Sequence, residues 1–330
     1  MKTSVAVMLV IAVLLCLFGG TANAQSNCSG GSAFAVVGYY NPPIGVSCDP
    51  WGLGVGILIC SGNNTKCAPK KVETFCAECA GKPIMFATGN TYIEETDIRI
   101  PGLSNGLSLV RTWVSQWPSS LSSQVGLFGP NWRSTYEERV FLGDDGYLRY
   151  ARGDGSVWAF GLGGPGWSVV APNNAGATLI QGTSYWTLTL KSGEQRRFDI
   201  TSGSLIAIID RNGNTTQLTY DGLNRLVTVT DAVSRHLTFT YASNTSFQVV
   251  GVSSDVGLSL AYTYDTQNRL SQVTKPDQTT LNFQYDANSM ITAVLDSNGK
   301  VLESHTYDSY QRGLTSARAN GVEALTITYP

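Results

Sequence analysis

Charge is scarce in this sequence: 14% of the 330 residues are Asp, Glu, Lys or Arg, and the formal net charge is −2. With no basic stripe, the chain has no long-range attraction for nucleic acid or an anionic membrane, so neither is expected as a partner. Histidine is scarcer still. His236 and His305 are the only two, which excludes the paired-histidine motifs of catalytic metal sites. There is also no serine elbow, no phosphate loop and no long segment of helical periodicity. No catalytic, cofactor-binding or metal-binding residue is therefore assigned, and no cofactor is expected.

What is present favours strands. Gly is abundant at 35, and Thr, Tyr, Val and Ser crowd the second half, a mixture suited to short strands joined by many turns. An all-β chain is expected.

The first residues form an export signal: Lys2 supplies the positive charge, Val5 to Phe18 is apolar, and Ala22-Asn23-Ala24 offers the small residues a signal peptidase reads. Cleavage is expected after Ala24, giving a secreted or cell-surface protein. The rival reading, a membrane anchor, falls short of the roughly 20 apolar residues a span needs. No stable span is expected after cleavage. Cys16 lies within the apolar run, and Val13-Leu14-Leu15 ahead of it lacks the small residue of a lipidation site.

Removal of the signal leaves Cys28, Cys48, Cys60, Cys67, Cys76 and Cys79 in a segment spanning 25–80. An even number in an exported chain reads as disulfides. The first pairing to consider is Cys60 with Cys67, Cys28 with Cys48 and Cys76 with Cys79, among fifteen connectivities that remain open. Half of a zinc site or a redox pair is the rival reading of Cys76-Ala-Glu-Cys79.

From Gly81 to residue 204, β-like runs alternate with turns: Leu107 to Trp113, Ser134 to Leu142, Tyr147 to Arg152, Ser156 to Phe160, Tyr185 to Leu190 and Gln195 to Ile200. Trp113, Trp117, Trp132, Trp158, Trp167 and Trp186 fall here. Core packing is the commoner use of tryptophan, and an exposed face that stacks on sugars is the alternative.

From 205 to 330 the chain repeats. Tyr220, Tyr241, Tyr264, Tyr285, Tyr307 and Tyr329 are spaced 21, 23, 21, 22 and 22 residues apart. Asp221, Asp265, Asp286 and Asp308 follow four of them. Beyond lie Asn224-Arg225-Leu226, Asn268-Arg269-Leu270, the weakened Ser289-Met290-Ile291, and Arg312-Gly313-Leu314, which reads as carrying one inserted residue. Each unit is expected to be two strands of about six to eight residues with an Asp-led turn between them, stacking on its neighbours as one growing surface.

The tyrosine and aspartate pattern resembles the YD repeats of the Rhs family. The resemblance extends upstream, to Gly81-Lys-Pro-Ile-Met-Phe-Ala-Thr-Gly-Asn90, to Glu94, Glu95 and Asp97, to Leu107-Ser-Leu-Val-Arg111-Thr-Trp113-Val-Ser115 and to Gly129-Pro-Asn-Trp132-Arg133. These are similar to the domain that precedes the repeats in that family. The resemblance implies an antiparallel sheet wound into a shell, often around a C-terminal toxin. Five intervals are too few for a closed shell. The chain, ending at Thr328-Tyr329-Pro330, is therefore expected to hold the N-terminal plug-like domain and first turns of a non-enzymatic container. Its partners would be the remaining shell and a C-terminal effector. A module binding a cell-surface glycan or protein through the tryptophans is the alternative, and an enzyme comes third.

Three features invite chemistry and have plainer readings. His236 and His305 are expected on the tyrosine-bearing face of their strands, as packed side chains. Asp210-Arg-Asn212-Gly-Asn214 alternates oxygen ligands like a calcium loop, but lacks a bidentate Glu and is equally a turn. Asp144-Asp145 and Glu94-Glu95 are adjacent carboxylates, which on a strand point to opposite faces.

Overall fold

The computed structural model describes residues 88–117, 126–143, 146–163, 166–171 and 175–329, together with four two-residue strands before them. Two compact units are formed, Met1–Glu78 and Cys79–Pro330. In the first, β1 (Gly38–Tyr39) pairs with β2 (Val55–Gly56). The signal segment, five of the six mature-chain cysteines and the side chain of Cys79 lie outside the described residues.

The second unit begins with β3 (Cys79–Ala80) paired to β4 (Ile84–Met85). A small antiparallel sheet follows, formed by β5 (Tyr92–Ile100), β6 (Leu107–Val114) and β7 (Trp132–Ser134). Strand alternation puts Leu107, Leu109, Arg111 and Trp113 on one face of β6, and all four are fully buried. In β5 the register against β6 shifts between Thr96 and Ile98. This bulge turns both Asp97 and Ile98 inward.

The main sheet is an antiparallel meander. Its first part is β8 (Arg139–Leu142), β9 (Leu148–Ala151), β10 (Val157–Gly163), β11 (Gly166–Ala171), β12 (Thr178–Gln181), β13 (Tyr185–Thr189), β14 (Gln195–Asp199) and β15 (Leu205–Ile209). The repeats supply β16 (Thr215–Tyr220), β17 (Leu226–Thr230), β18 (His236–Tyr241), β19 (Val249–Ser254), β20 (Ser259–Tyr264), β21 (Leu270–Thr274), β22 (Thr280–Tyr285), β23 (Ile291–Leu295), β24 (Val301–Tyr307), β25 (Gly313–Arg318) and β26 (Leu325–Thr326). Consecutive strands pair throughout, with no break where the repeat spacing begins.

The sheet closes on itself where β8 meets β15, and the repeat strands β16 to β26 continue from there pair by pair, as expected of a growing array. Arg139 bridges to Ser204, Val140 N–H donates to Gly203 O at 2.9 Å and Leu205 N–H to Glu138 O at 3.2 Å. The start of β8 thereby meets the start of β15. Arg196 on β14 closes the same ring from inside, donating to Glu138, which also accepts from Tyr150.

Repeat strands β16 to β25 run five to seven residues, shorter than the six to eight expected. The turn is the reason. Asp221 N–H donates to Arg225 O, Asn224 N–H donates to Asp221 O, and Asn224 has φ 59°. This is a type I turn closed by a left-handed residue, which draws the arginine out of the strand. Leu226 therefore begins the return strand.

Candidate functional site: the interface between the small sheet and the repeats

Each repeat is tied to the one before it by its tyrosine. Tyr220 donates to Leu205 O, Tyr241 to Leu226 O, Tyr264 to Val249 O, Tyr285 to Leu270 O, Tyr307 to Ile291 O and Tyr329 to Gly313 O, all at 2.6–2.8 Å. The aspartate after the tyrosine organises the turn. In the first copy, Asp221 accepts from the N–H groups of Leu223 and Arg225 and from Arg225 Nε. Asp265 with Arg269 and Asp308 with Arg312 repeat the pattern. Those arginines lie over the tyrosine of the next unit, Arg225 on Tyr241, Arg269 on Tyr285 and Arg312 on Tyr329, at 4.6, 4.6 and 4.2 Å. Asp286 still accepts from Met290 N–H, but methionine replaces the arginine and the cation–ring step is missing there.

Asp308 and Arg312 keep the four-residue separation of Asp221 and Arg225, so no residue is inserted. Gly313 takes the position of Leu226 instead, pairing with Tyr307 as Leu226 pairs with Tyr220. A Cβ on Gly313 would lie 2.5 Å from Thr91 Oγ1 and 2.8 Å from Ile84. The segment ahead of the repeats occupies the space a leucine would need. Gly89, with φ 75°, is the counterpart: its carbonyl accepts from Gly313 N–H at 2.7 Å, and a Cβ there would meet Arg312 at 2.5 Å.

The small sheet lies against the buried face of the repeats. Trp132 packs edge-on to Phe283 at 5.2 Å, Phe128 tilts against Tyr262 at 4.8 Å and Trp113 meets Tyr307 at 6.3 Å. At the centre, Arg111 makes a two-pronged contact with Asp97, Nε to Oδ2 at 2.5 Å and Nη2 to Oδ1 at 2.9 Å. Tyr262 of β20 donates to the same Oδ2 at 2.7 Å. The guanidinium lies 4.7 Å from the Trp132 ring and within 6 Å of Phe128, Tyr262 and Phe283. Burial opposes the charge on Arg111, but Asp97 outweighs it and holds the guanidinium protonated. Burial, with Asp97 adding to it, pushes the Tyr262 phenol well above its usual range.

The remaining features resolve into structural roles. Asp210 accepts from the N–H groups of Asn212 and Asn214 and from the Asn214 side chain, so its oxygens close a turn. Trp113 and Trp132 are fully buried, and Trp117, Trp158, Trp167 and Trp186 are partly buried, with no exposed tryptophan among the described residues. His305 is buried on the Tyr307 face. His236 is not on the Tyr241 face as expected: five residues separate the two, an odd offset, and His236 sits with Thr238 and Thr240 on the other face. It lies 3.5 Å from Asp255.

A repeat sheet built on tyrosine and aspartate, with an aromatic and arginine-bearing sheet seated on its buried face, defines an all-β YD-repeat protein. The RHS Repeat model matches residues 201–236 and 264–301, and a domain of unknown function, DUF6531, matches 81–160. The chain is an Rhs/YD-repeat protein. It is 30% identical over 140 residues to the tRNA nuclease WapA of Bacillus subtilis (strain 168), and likewise to the tRNA3(Ser)-specific nuclease WapA of Bacillus spizizenii. The match is 42% of this chain and covers 6% of the length of those relatives. Among solved structures it is similar to TcdB2-TccC3-Cdc42, at 13% identity and TM-score 0.28 over 55% of this chain and 11% of that one. A Photorhabdus luminescens Tc holotoxin pore matches at 11% identity and TM-score 0.26, over 66% of this chain and 14% of that one.

Proposed function

We propose that this chain is a non-enzymatic structural part of an exported Rhs-type protein, in which residues 81–204 supply a plug-like domain and 205–330 the first turns of a β-shell. The supporting observation is the Asp97–Arg111–Tyr262 centre, where a charged pair of the small sheet is completed by a tyrosine of the repeats. A buried ion pair is costly unless its remaining hydrogen-bond positions are filled. Here the repeats fill one, so small sheet and shell are matched as one packed unit. The partners are the rest of the shell and a C-terminal effector. The signal segment exports the chain, with cleavage after Ala24, and the six mature-chain cysteines form disulfides.

The tRNA nuclease activity named for the WapA relatives is not assigned to this stretch. The purified chain is expected to leave tRNA intact, and cleavage abolished by a single carboxylate substitution would overturn the reading. Expression with the native signal in a bacterial host tests export. Recovery outside the cytoplasm with Gln25 as first residue is expected, and cytoplasmic retention with Met1 in place would contradict it.

A further inference from the structure

The repeats present one buried face over and over. Opposite the tyrosine that ends each first strand stands an apolar residue: Leu226 opposite Tyr220, Val249 opposite Tyr241, Leu270 opposite Tyr264 and Ile291 opposite Tyr285. All four are buried. Two residues before each tyrosine, the inward row runs Leu218, Phe239, Tyr262, Phe283 and His305. A domain resting on such a surface would find nearly the same footing after a slide of one unit, two strands or roughly 10 Å. The docking register stays open unless particular residues specify it.

Two positions break the sameness. In the inward row only Tyr262 offers a hydroxyl, and Asp97 accepts from it. Among the residues opposite a tyrosine, only Gly313, opposite Tyr307, has no side chain. That space is filled from ahead of the repeats. Ile84 bridges antiparallel to Thr91, and Met85 N–H donates to Asn90 O at 2.8 Å, so 84–91 is a hairpin. Thr91 N–H donates to Ser115 Oγ and Ser115 N–H to Thr91 O, each at 2.9 Å, which fixes the hairpin to the end of β6. Ile84 and Thr91 are fully buried. A Cβ on Gly313 would lie 2.8 Å from Ile84 Cδ1, well inside carbon contact distance. Ile84 thus stands in the core where the other units put their own leucine, valine or isoleucine.

We propose that the hairpin 84–91 selects the repeat unit on which the preceding domain docks, by reading the missing side chain at Gly313, and that Ile84 supplies to the core what that unit omits. Tyr262 is the second mark, and the two marks fail together. Moved one unit toward the start of the repeats, the hairpin would strike Ile291 and Asp97 would face Phe239. Moved one unit the other way, Asp97 would face Phe283. Either slide leaves a buried carboxylate short of a donor, and the first adds overpacking. Specificity of this kind comes as much from what rejects the wrong register as from what favours the right one. The proposal rests on the reading of 81–204 as a domain seated on the repeats, and it names the residues that decide where that domain sits.

The test is a mutant cycle on the full chain, read by melting temperature and by hydrogen exchange of the peptide that contains residue 313. In the native background Gly313→Leu should lower the melting temperature and deprotect that peptide, because Ile84 and Thr91 are displaced. In a background with a shortened hairpin, Ile84→Ala with Thr91→Ala, the same substitution should raise the melting temperature, because the leucine fills the space those two side chains vacate. Gly313→Ala grades the effect if the leucine variant does not fold. Leu270→Ala, two units earlier, should lower the melting temperature equally in both backgrounds. A reversal of sign at 313 with additivity at 270 is the expected result. No gain from Gly313→Leu in the shortened background, or coupling of the same size at 270, would overturn the selection. Destabilisation by Asp97→Ala in that case would leave the reading of 81–204 as a docked domain standing without it.

Discussion

Tyr262 donates a hydrogen bond to Asp97 at 2.7 Å across a separation of 165 residues. The bond joins a strand of the repeats to a bulge in the small sheet, and Arg111 holds the other side of the same carboxylate. Removing one member of a fully buried pair leaves an uncompensated charge. Asp97→Ala or Arg111→Ala is expected to cost about 3–5 kcal/mol, read by urea unfolding. Tyr262→Phe keeps the ring against Phe128 and removes one bond to a charged acceptor, so about 1.5–3 kcal/mol is expected. A loss under about 0.5 kcal/mol for Asp97→Ala, no more than surface substitutions cost, would show that the centre is not a stability determinant.

The tyrosine ladder makes a graded prediction. Tyr241→Phe removes only the hydroxyl bond to Leu226 O, worth about 1 kcal/mol. Arg225→Met at the preceding turn removes the ion pair with Asp221 and the contact over Tyr241, reproducing what Met290 already does before Tyr307. The melting temperature should fall modestly in both, with the strands retained by circular dichroism. Collapse of the whole sheet in either variant would contradict a ladder of small increments.

Gly313 is where the small sheet displaces the repeat pattern. Gly313→Leu restores the residue type of Leu226 and Leu270, yet its side chain would strike Thr91 and Ile84. Destabilisation of about 1–3 kcal/mol or more is expected from overpacking. A neutral or stabilising result would mean that Ile84 and Thr91 are not seated there.

Acid sensitivity follows from the turn carboxylates. Arg225 N–H holds Asp221 below the usual carboxylate range, and the Asn214 side chain does the same for Asp210. A depressed carboxylate adds stability above its ordinary pKa that is lost as pH falls through the folded value. Thermal stability should therefore decline below about pH 4, the ordinary range of a free Asp, and Asp221→Asn should flatten that slope. In alkali, burial lifts Tyr262 and Tyr264 above the usual phenol range, so stability present below about pH 10 is lost above it. Phenolate absorbance should rise together with unfolding.

Much of this was legible beforehand. Tyrosine spacing fixed the strand ends at Tyr220, Tyr241, Tyr264, Tyr285 and Tyr307 because the hydroxyl must reach a carbonyl one unit back, and the Asp-led turns follow from local hydrogen bonding. The centre itself was missed, although a signal existed. Arg111 alternates with Leu107, Leu109 and Trp113, and a cation on an apolar face requires a buried acid. What alternation could not give was Asp97, because a bulge inverts its phase. Closure at Arg139 and Ser204 rests on pairing between distant strands, which no local pattern encodes. Gly313 looked like a slipped register because the space it yields is occupied by residues more than 200 positions earlier.

The central claim is that the small sheet and the repeats are one cooperative unit joined through Asp97, Arg111 and Tyr262. Native-state hydrogen exchange by mass spectrometry on the full chain and on Tyr262→Phe tests it most directly, comparing peptides from 92–114 with peptides from 259–285. The account predicts equal protection in the two segments and an equal fall in both for the variant. Protection that falls only in the repeats, with 92–114 unchanged, would contradict it.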